Sequence, residues 1–305
     1  MSILIRFLKT LENKKLKIAL TGAGGFIGKR FLQYNKDKFD LVPVSLRETN
    51  VEDINLADTD VIVHLAGKAH DMNPVPDQVF YQVNYTLTKQ LAEKARLQGV
   101  THFIYVSSTK VYGDEANGVL NERSHCLPTD AYGKSKLQAE EMVRHLSNTR
   151  FKVAVIRPPL VYGPGVKGNM IRLLDLANRN LPLPFGNTRN ARSMVFVDNL
   201  VELINVIIRR QATGIFLAGD TEPISTDKLI GLIRKGLGKQ QNLITVPIII
   251  RNIIRMVKPA LYTRLFGSYV LDNTVTNQAL QFSPPFSTEF GIEQMVKWYK
   301  QDKPL

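Results

Sequence analysis

A tyrosine and a lysine four residues apart, Tyr132 and Lys136, are the side chains in this sequence best placed for proton transfer. The stretch Ala131–Leu146 has helical periodicity, and residues four apart project from one face of a helix. A buried ammonium beside a phenol favours the phenolate, as does the positive end of a helix. The spacing therefore predicts a tyrosine that exchanges protons near neutral pH, and Ser108, at a strand end, can hold the same reacting oxygen.

A glycine-rich turn follows the apolar run Ile18–Leu20 and precedes a helical pattern. Strand, glycine turn and helix in this order open a dinucleotide-binding βαβ unit, in which glycines permit a tight turn and close approach to a pyrophosphate. The N-terminus of the helix offers unpaired N–H groups to the phosphates. The residues assigned to the dinucleotide here are Gly22, Gly25, Phe26, Ile27 and Gly28.

The end of the second apolar segment bears on the choice between NAD and NADP. An NAD site usually places a carboxylate there, about 20 residues past the glycines, to bind the ribose 2′-hydroxyl. This chain has Ser45, Leu46 and Arg47 instead, a hydroxyl and a cation that suit a 2′-phosphate. NADP is therefore the predicted cofactor, and NAD stays open because Glu48 or another group can serve the ribose.

The next apolar run, Asp60–Ala66, is continuous, which is typical of a buried parallel strand. Ligands of open α/β sheets bind beyond the carboxyl ends of such strands, and Gly67 lets a cofactor approach the backbone there. Lys68 and His70 follow as candidate contacts, whereas His64, inside the strand, is predicted to be a core histidine that hydrogen-bonds to backbone groups. The remaining residues assigned to the cofactor are Leu65, Ala66, Gly67, Lys68, Asn84, Tyr132, Lys136 and Pro159.

Composition limits the partners. The 305 residues are 44% hydrophobic and 22% charged, enough apolar side chains for a sizeable core. The net charge of +13 favours anionic partners, but the basic residues are scattered, so nucleic-acid binding is not predicted. A single cysteine, Cys126, excludes a disulfide framework and a cysteine-based zinc site and agrees with a reducing, cytoplasmic location. No metal site and, at Met1–Leu11, no signal peptide is predicted.

These residues need an alternation of strands and helices to position them. The sequence predicts an α/β fold, a Rossmann-type doubly wound parallel sheet with a smaller C-terminal substrate lobe. Residues 1–163 are expected to form the NAD(P)-binding domain, with 1–15 as an N-terminal arm. Residues 164–305 are expected to form mainly the substrate lobe, with some elements returning to the sheet. Thr129 or Asp130 is the predicted N-cap of the helix that bears Tyr132.

The most apolar stretch of the chain, Ile244–Val257, contains or adjoins Arg251, Arg255 and Lys258. A basic amphipathic helix can lie on a membrane surface. More often an amphipathic helix packs its apolar face on its neighbours. The sequence favours packing within the lobe and leaves membrane contact through residues 244–258 open.

Taken together, Thr21-Gly22-x-x-Gly25-x-x-Gly28, Ser108 and Tyr132-x-x-x-Lys136 resemble the extended short-chain dehydrogenase/reductases. These are NAD(P)-dependent epimerases, dehydratases and reductases of nucleotide sugars. The segment Arg157–Gly165 looks like the one after the family's sixth strand, and Arg192 matches the family's usual arginine to the nucleotide diphosphate. The resemblance covers roughly residues 16–300. It implies a seven-stranded parallel sheet and the substrate-binding residues Lys68, Ser108, Thr109, Asn169 and Arg192.

The resemblance also implies roles for the catalytic residues Ser108, Tyr132 and Lys136. Tyr132 would exchange a proton with O4 of a nucleoside-diphosphate sugar while the nicotinamide exchanges a hydride at C4. Lys136 would lower the tyrosine pKa and hold the nicotinamide ribose, and Ser108 would orient O4. Members of the family often dimerise through the helix that bears this tyrosine, so a homodimer is expected.

The two residues after Ser108 narrow the reaction. The family's 4,6-dehydratases carry an Asp-Glu pair at the positions that Thr109 and Lys110 occupy here, so dehydration is disfavoured. Enzymes that epimerise C3 and C5 need a further acid/base pair, often cysteine and histidine, and nothing places Cys126 in that role. Two reactions are left: a 4-keto-sugar reductase of bacterial surface-polysaccharide synthesis, and a 4-epimerase of a UDP-hexose or UDP-N-acetylhexosamine. The NADP prediction favours the reductase. A non-catalytic NADP-sensing regulator is disfavoured because the tyrosine and lysine are both present.

Overall fold

A computed structural model of the chain describes residues 15–69, 75–114 and 118–302, except for the side chains of residues 260, 261 and 264. Most of the predicted N-terminal arm, together with His70, lies outside the described residues. The strands are β1 (Lys17–Thr21), β2 (Asp40–Val44), β3 (Val61–His64), β4 (His102–Val106), β5 (Val119–Leu120), β6 (Lys152–Arg157), β7 (Leu160–Tyr162), β8 (Leu183–Gly186), β9 (Met194–Phe196), β10 (Gly214–Leu217), β11 (Leu243–Thr245) and β12 (Val270–Leu271).

Helices alternate with these strands along most of the chain. They are α1 (Phe26–Asn35), α2 (Asp77–Phe80), α3 (Leu87–Leu97), α4 (Ala131–His145), α5 (Asn169–Ala177), α6 (Val197–Arg210), α7 (Thr226–Leu237), α8 (Ile248–Val257), α9 (Pro259–Phe266), α10 (Thr274–Leu280) and α11 (Thr288–Asp302). A π-helical segment, Tyr81–Thr86, joins α2 to α3. Short 3₁₀ helices occupy Val51–Asp53 and Thr109–Tyr112.

The central sheet is parallel and has the strand order β10-β6-β4-β3-β1-β2. It therefore has six strands among the described residues, rather than the seven that the resemblance implies. The segment between β2 and β3 forms a 3₁₀ helix instead of an edge strand. Its apolar side chains, including Val51 and Leu56, pack on the face of the sheet.

Alternating side chains on the strands supply two cores, one on each face of the sheet. Ile18 and Leu20 pack with α1 and α6, whereas Ala19 packs with α3 and α4. This is the doubly wound arrangement that the sequence predicts, because a strand buried on both faces reads as a continuous apolar run. The carboxyl ends of all six strands consequently meet at one edge of the sheet.

A third core lies in the C-terminal part of the chain and is centred on a buried carboxylate. Asp220 accepts hydrogen bonds from the hydroxyl of Tyr162 (2.6 Å), from the side-chain amide of Asn199 (2.7 Å) and from the backbone N–H of Phe196 (2.9 Å). These bonds join β7, β9 and α6. Strand β10 and helix α6, both beyond residue 163, belong to the sheet layer, and the boundary at 163/164 stays a prediction.

Helix α8 departs from the prediction that its apolar side chains pack within the lobe. None of its residues is buried, so that prediction is wrong. The helix contacts mainly α9. Within the described ranges, we find no helix whose length and apolar character would let it cross a bilayer.

Candidate active site

The strand order reverses between β1 and β3, and the crevice outside their carboxyl ends is where open α/β sheets bind ligands. The glycine turn follows β1, and Leu65, Ala66, Gly67 and Lys68 follow β3. The register pairs Thr21 with His64 and also with Val44, the last residue of β2. The structure therefore brings the cofactor residues predicted from three separate stretches to one edge.

The glycine turn is built so that two stretches of backbone touch. Gly22 has φ +71°, and a Cβ there would stand 2.6 Å from the backbone nitrogen of Ala66. A Cβ at Gly28 would stand 2.2 Å from the carbonyl oxygen of Gly22. Helix α1 has neither a side-chain N-cap nor an acidic residue in its first turn, so its first N–H groups can face an anion. These features fit the pyrophosphate of a dinucleotide.

We expect Gly28→Ala to lower the free energy of unfolding by about 2 kcal/mol or more, because the new methyl group would overlap backbone that cannot move aside. Gly24→Ala is the matched control, since a Cβ at Gly24 meets nothing within 4 Å. Urea unfolding of both variants measures the difference. Equal stability for the two variants would show that α1 does not pack on the turn as described.

Phe26 and Ile27 begin α1, and their side chains take part in packing. Both pack against the C-terminal core, and Ile27 also packs against a core of the sheet. The ring of Phe26 also lies beside Gly165, where a Cβ would stand 3.6 Å from a ring carbon. Helix α1 is thus held between sheet and lobe, and the assignment of these two residues to a dinucleotide stays a prediction.

His64 is fully buried and is a core histidine, as predicted. Its partners are hydroxyls rather than backbone groups: its Nδ1 is 2.6 Å from Oγ1 of Thr21, and its Nε2 is 2.8 Å from Oγ1 of Thr88. Burial lowers the pKa of His64 to about 3, so the ring is neutral. The N–H of Ala66 donates to the same threonine oxygen on β1, which fixes the backbone that borders Gly22.

Asn84 is buried on the π-helical segment and holds the loop after β3. Its Oδ1 accepts from the N–H of Lys68 (2.8 Å), and its Nδ2 donates to the carbonyl of Lys68 (3.1 Å) and to Oγ of Ser135 (3.0 Å). Its role in this structure is therefore to position Gly67 and Lys68 against α4. A Cβ at Gly67 would lie 3.2 Å from Nζ of Lys136, so only glycine leaves that space open.

Helix α4 carries the predicted catalytic pair. Asp130 is its N-cap and accepts from the N–H of Gly133 at 2.7 Å. Gly133 lets the helix start close to the segment after Ser108, because a Cβ there would lie 2.7 Å from the carbonyl oxygen of Lys110. Gly133 was not predicted to have a role, although it follows Tyr132 directly in the sequence.

Lys136 is buried, and its ammonium donates to the carbonyl of Val106 at 2.9 Å. The same group lies 4.6 Å from the centroid of the Tyr105 ring. Burial lowers the pKa of Lys136 to about 8, against an opposing effect of the Glu140 carboxylate one turn further along α4. The lysine is therefore close to losing its proton at mildly alkaline pH.

Tyr132 and Ser108 are brought together as predicted, close enough for the Ser108 hydroxyl to act on the pKa of the phenol. Burial raises the pKa of Tyr132 above its ordinary value, while the Ser108 hydroxyl lowers it in part. The expectation of a phenol activated toward neutrality is therefore not met by the protein groups alone. The reason is that burial penalises the phenolate and that the ammonium of Lys136 is directed at a backbone carbonyl.

A buried ion pair supports this helix from below. Arg157, at the end of β6, donates to both carboxylate oxygens of Glu140 at 2.6 to 3.1 Å and to the hydroxyl of Tyr112 at 2.8 Å. Both charged side chains are at most 3% exposed. This ion pair was not predicted, because two residues 17 positions apart, one on a helix and one on a strand, have no spacing that indicates a contact.

The predicted substrate residues beyond the catalytic triad lie at several places. Thr109 is buried, and its carbonyl accepts from the hydroxyl of Tyr269 at 2.7 Å, a residue that the sequence analysis missed. The backbone of Arg192 pairs with that of the same tyrosine in an isolated β-bridge. Its side chain donates from Nη1 to the carbonyls of Thr263 (3.1 Å) and Gly267 (3.0 Å). Burial lowers the pKa of Arg192. Tyr269 and Arg192 thus connect residues 263–269 to the strand end that bears Ser108.

The remaining predicted residues lie nearer the surface. Asn169 is exposed at the first position of α5. Ser45 is half-buried and Arg47 exposed just past β2, next to the glycine turn. Pro159 is half-buried between β6 and β7. Ser45, Arg47 and Pro159 follow the carboxyl ends of β2 and β6, and the contacts assigned to all four residues stay predictions.

Comparison with known proteins gives this geometry a context. A model of the NAD dependent epimerase/dehydratase family matches residues 18–219. A UDP-glucose 4-epimerase of Vibrio cholerae is 33% identical over 93% of this chain and 95% of its own length. An N-acetyl-alpha-D-glucosaminyl-diphospho-ditrans,octacis-undecaprenol 4-epimerase of Escherichia coli O157:H7 is 28% identical over 73% of each chain.

The fold is also found in solved structures. A UDP-glucuronic acid 4-epimerase from Bacillus cereus, solved in complex with NAD, superposes with a TM-score of 0.74 at 22% identity and covers 94% of this chain and 99% of its own. Membership of one family accounts for the family match and the similarity to the Vibrio protein. It also accounts for the glycine turn at the switch point and for the paired Tyr132 and Lys136. The chain belongs to the NAD-dependent epimerase/dehydratase family.

Proposed function

We propose that the protein is an NAD-dependent 4-epimerase of a UDP-hexose or UDP-N-acetylhexosamine. The similarity to the Vibrio UDP-glucose 4-epimerase over nearly both whole chains supports this proposal most directly. It replaces the preference for a reductase, because the relatives described above are named as 4-epimerases. The 4-keto-sugar reductase stays as the alternative reaction.

In this proposal the dinucleotide, when bound, supplies an acceptor and donor of hydride at C4 of the sugar. Tyr132 would accept the proton of the sugar O4 as C4 gives up its hydride, and would return a proton to O4 when the hydride is delivered to the opposite face of C4. Ser108 donates a hydrogen bond to O4 and holds it beside the phenol. Lys136 keeps a positive charge beneath the site and faces the space that Gly67 leaves open.

The reaction and the cofactor can be tested together on purified protein. Denaturation releases any bound dinucleotide, which mass spectrometry identifies, and UDP-glucose or UDP-N-acetylglucosamine is then assayed for conversion to its 4-epimer. We expect the purified protein to retain NAD and to convert the UDP-sugar to its 4-epimer without added NADPH. NADPH oxidation with a 4-keto nucleotide sugar, and no epimerisation, would establish the reductase instead and support the assignment of Ser45 and Arg47 to a 2′-phosphate.

A pH profile tests the role of Lys136. With a pKa of about 8, its ammonium loses its proton as the pH rises through that value, so the charge needed beside Tyr132 is present below it and lost above it. We expect kcat/KM, which reports the free enzyme, to fall as the pH rises through about 8. A profile that stays level from about pH 7 to about pH 9 would contradict this role.

A lipid-linked diphospho-sugar is the second candidate substrate. The exposed apolar helix α8, in the same part of the chain as Arg192, favours it, as does the similarity to the undecaprenol-linked 4-epimerase of E. coli. Parallel assays with the UDP-sugar and the undecaprenyl diphosphate-linked sugar separate the two.

We also propose a homodimer formed through α4, which light scattering after size-exclusion chromatography would detect.

A further inference from the structure

Helix α8 turns its apolar side chains away from the rest of the described chain. Ile249, Ile253 and Met256 are 70%, 54% and 83% exposed. Their spacing of four and three residues places them in one stripe along the helix. Exposed contiguous apolar surface of this kind marks an interaction site rather than ordinary protein surface.

The basic side chains of α8 lie on the side that meets α9. The guanidinium of Arg251 is 4.7 Å from the centroid of the Phe266 ring, and that of Arg255 is 5.8 Å from the centroid of the Tyr262 ring. These cation–π contacts orient the helix with its apolar stripe outward. Arg255 and Lys258 are themselves exposed, and long basic side chains can extend from the polar side of a helix toward an anion at the level of its apolar face.

The sequence around α8 is strongly one-sided in charge. Residues 228–271 contain eight lysines and arginines and not one aspartate or glutamate, so this stretch supplies more than half of the net charge of +13. Among these residues Arg234 is buried and Lys228 pairs with Glu289, whereas Arg255 and Lys258 are exposed at the end of α8, where their charges complement an anionic lipid surface. A second copy of this chain is the less suitable occupant, because a two-fold interface would bring two such segments together.

We propose that the apolar stripe of α8 lies on an anionic phospholipid bilayer, with Arg255 and Lys258 among the phosphate groups of its surface. The helix would lie in the plane of the surface, since it has only ten residues. Helix α9, whose last carbonyl groups hold Arg192, lies directly behind α8. The contact would therefore keep the substrate lobe next to the membrane.

Cosedimentation with vesicles tests this inference without any substrate, so its outcome is independent of the proposed reaction. The full chain should bind vesicles of equal parts phosphatidylcholine and phosphatidylglycerol, and not vesicles of phosphatidylcholine alone. Concentrated salt should weaken the binding, because it screens the charges. The paired change Ile249→Glu and Ile253→Glu should abolish binding. The paired change Arg255→Glu and Lys258→Glu should lower the affinity by about tenfold or more.

Matched controls separate these effects from general changes of surface. Leu97→Glu alters an apolar side chain that is 82% exposed on α3, and the pair Lys36→Glu and Lys89→Glu changes net charge by the same amount as the α8 pair. Both controls should bind like the unchanged chain. Equal binding to the two kinds of vesicle, or none to either, would overturn the proposal. So would a dimer in light scattering that Ile253→Glu dissociates, since a second copy would then cover the stripe.

Discussion

Tyr132→Phe should lower kcat by about a thousandfold while leaving dinucleotide binding unchanged, because the phenol contributes proton transfer and not cofactor affinity. The substitution removes only the hydroxyl, which lies near that of Ser108. The ring stays, so its edge contact with Phe80, at 6.3 Å between centroids, is kept. Steady-state assays of epimerisation and a fluorescence titration of the dinucleotide measure the two effects separately.

Tyr34→Phe provides the matched control, since it makes the same chemical change on α1, where the tyrosine hydroxyl pairs with Glu202. That variant should keep the activity of the unchanged protein. If Tyr132→Phe retains most of the activity, another group performs the proton transfer. If it loses dinucleotide binding as well, Tyr132 is part of the cofactor site rather than the acid/base.

Glu140→Ala should lower the free energy of unfolding by about 3 to 5 kcal/mol, because it leaves the charge of Arg157 buried without its partner. The guanidinium would keep only its hydrogen bond to the hydroxyl of Tyr112. Activity should change too. The carboxylate of Glu140 raises the pKa of Lys136 against the larger effect of burial, so its removal should move the alkaline fall in kcat/KM to lower pH.

The double change Glu140→Met and Arg157→Met is the control for the buried charge. Apolar side chains of similar volume often replace a buried ion pair without loss, so this variant should recover most of the stability lost in Glu140→Ala. Its pH profile should keep the shift, because the carboxylate is still absent. Equal destabilisation by the single and the double change would mean that packing, and not the unpaired charge, is responsible.

The two predictions differ in how visible their residues are in the sequence. The spacing of Tyr132 and Lys136 reflects one helical turn, and the helix begins where the Asp130 cap predicts. The glycine turn is equally local, because its strand, turn and helix are consecutive. Glu140 and Arg157 meet only because β6 carries the arginine under α4, and no spacing along the chain indicates that contact.

The structure differs from some of the predictions made from the sequence. The missing seventh strand, the hydroxyl partners of His64 and the exposed face of α8 all depend on which elements pack together. The same is true of the Tyr132 pKa. The sequence places a lysine one turn away, but folding directs that ammonium at Val106 and buries the phenol, so the direction of the shift reverses.

The α/β class, the glycine turn and the choice of Tyr132 and Lys136 as the candidate acid/base pair follow from the sequence alone, because each depends on residues close together in the chain. The charge of those groups, the contacts that hold them and the surface left exposed depend on the folded chain. Charge and exposure are set by burial and by partners distant in sequence, such as Asn84 for the Gly67 loop and Arg157 for Glu140. Such contacts exist only after the strands and helices have packed.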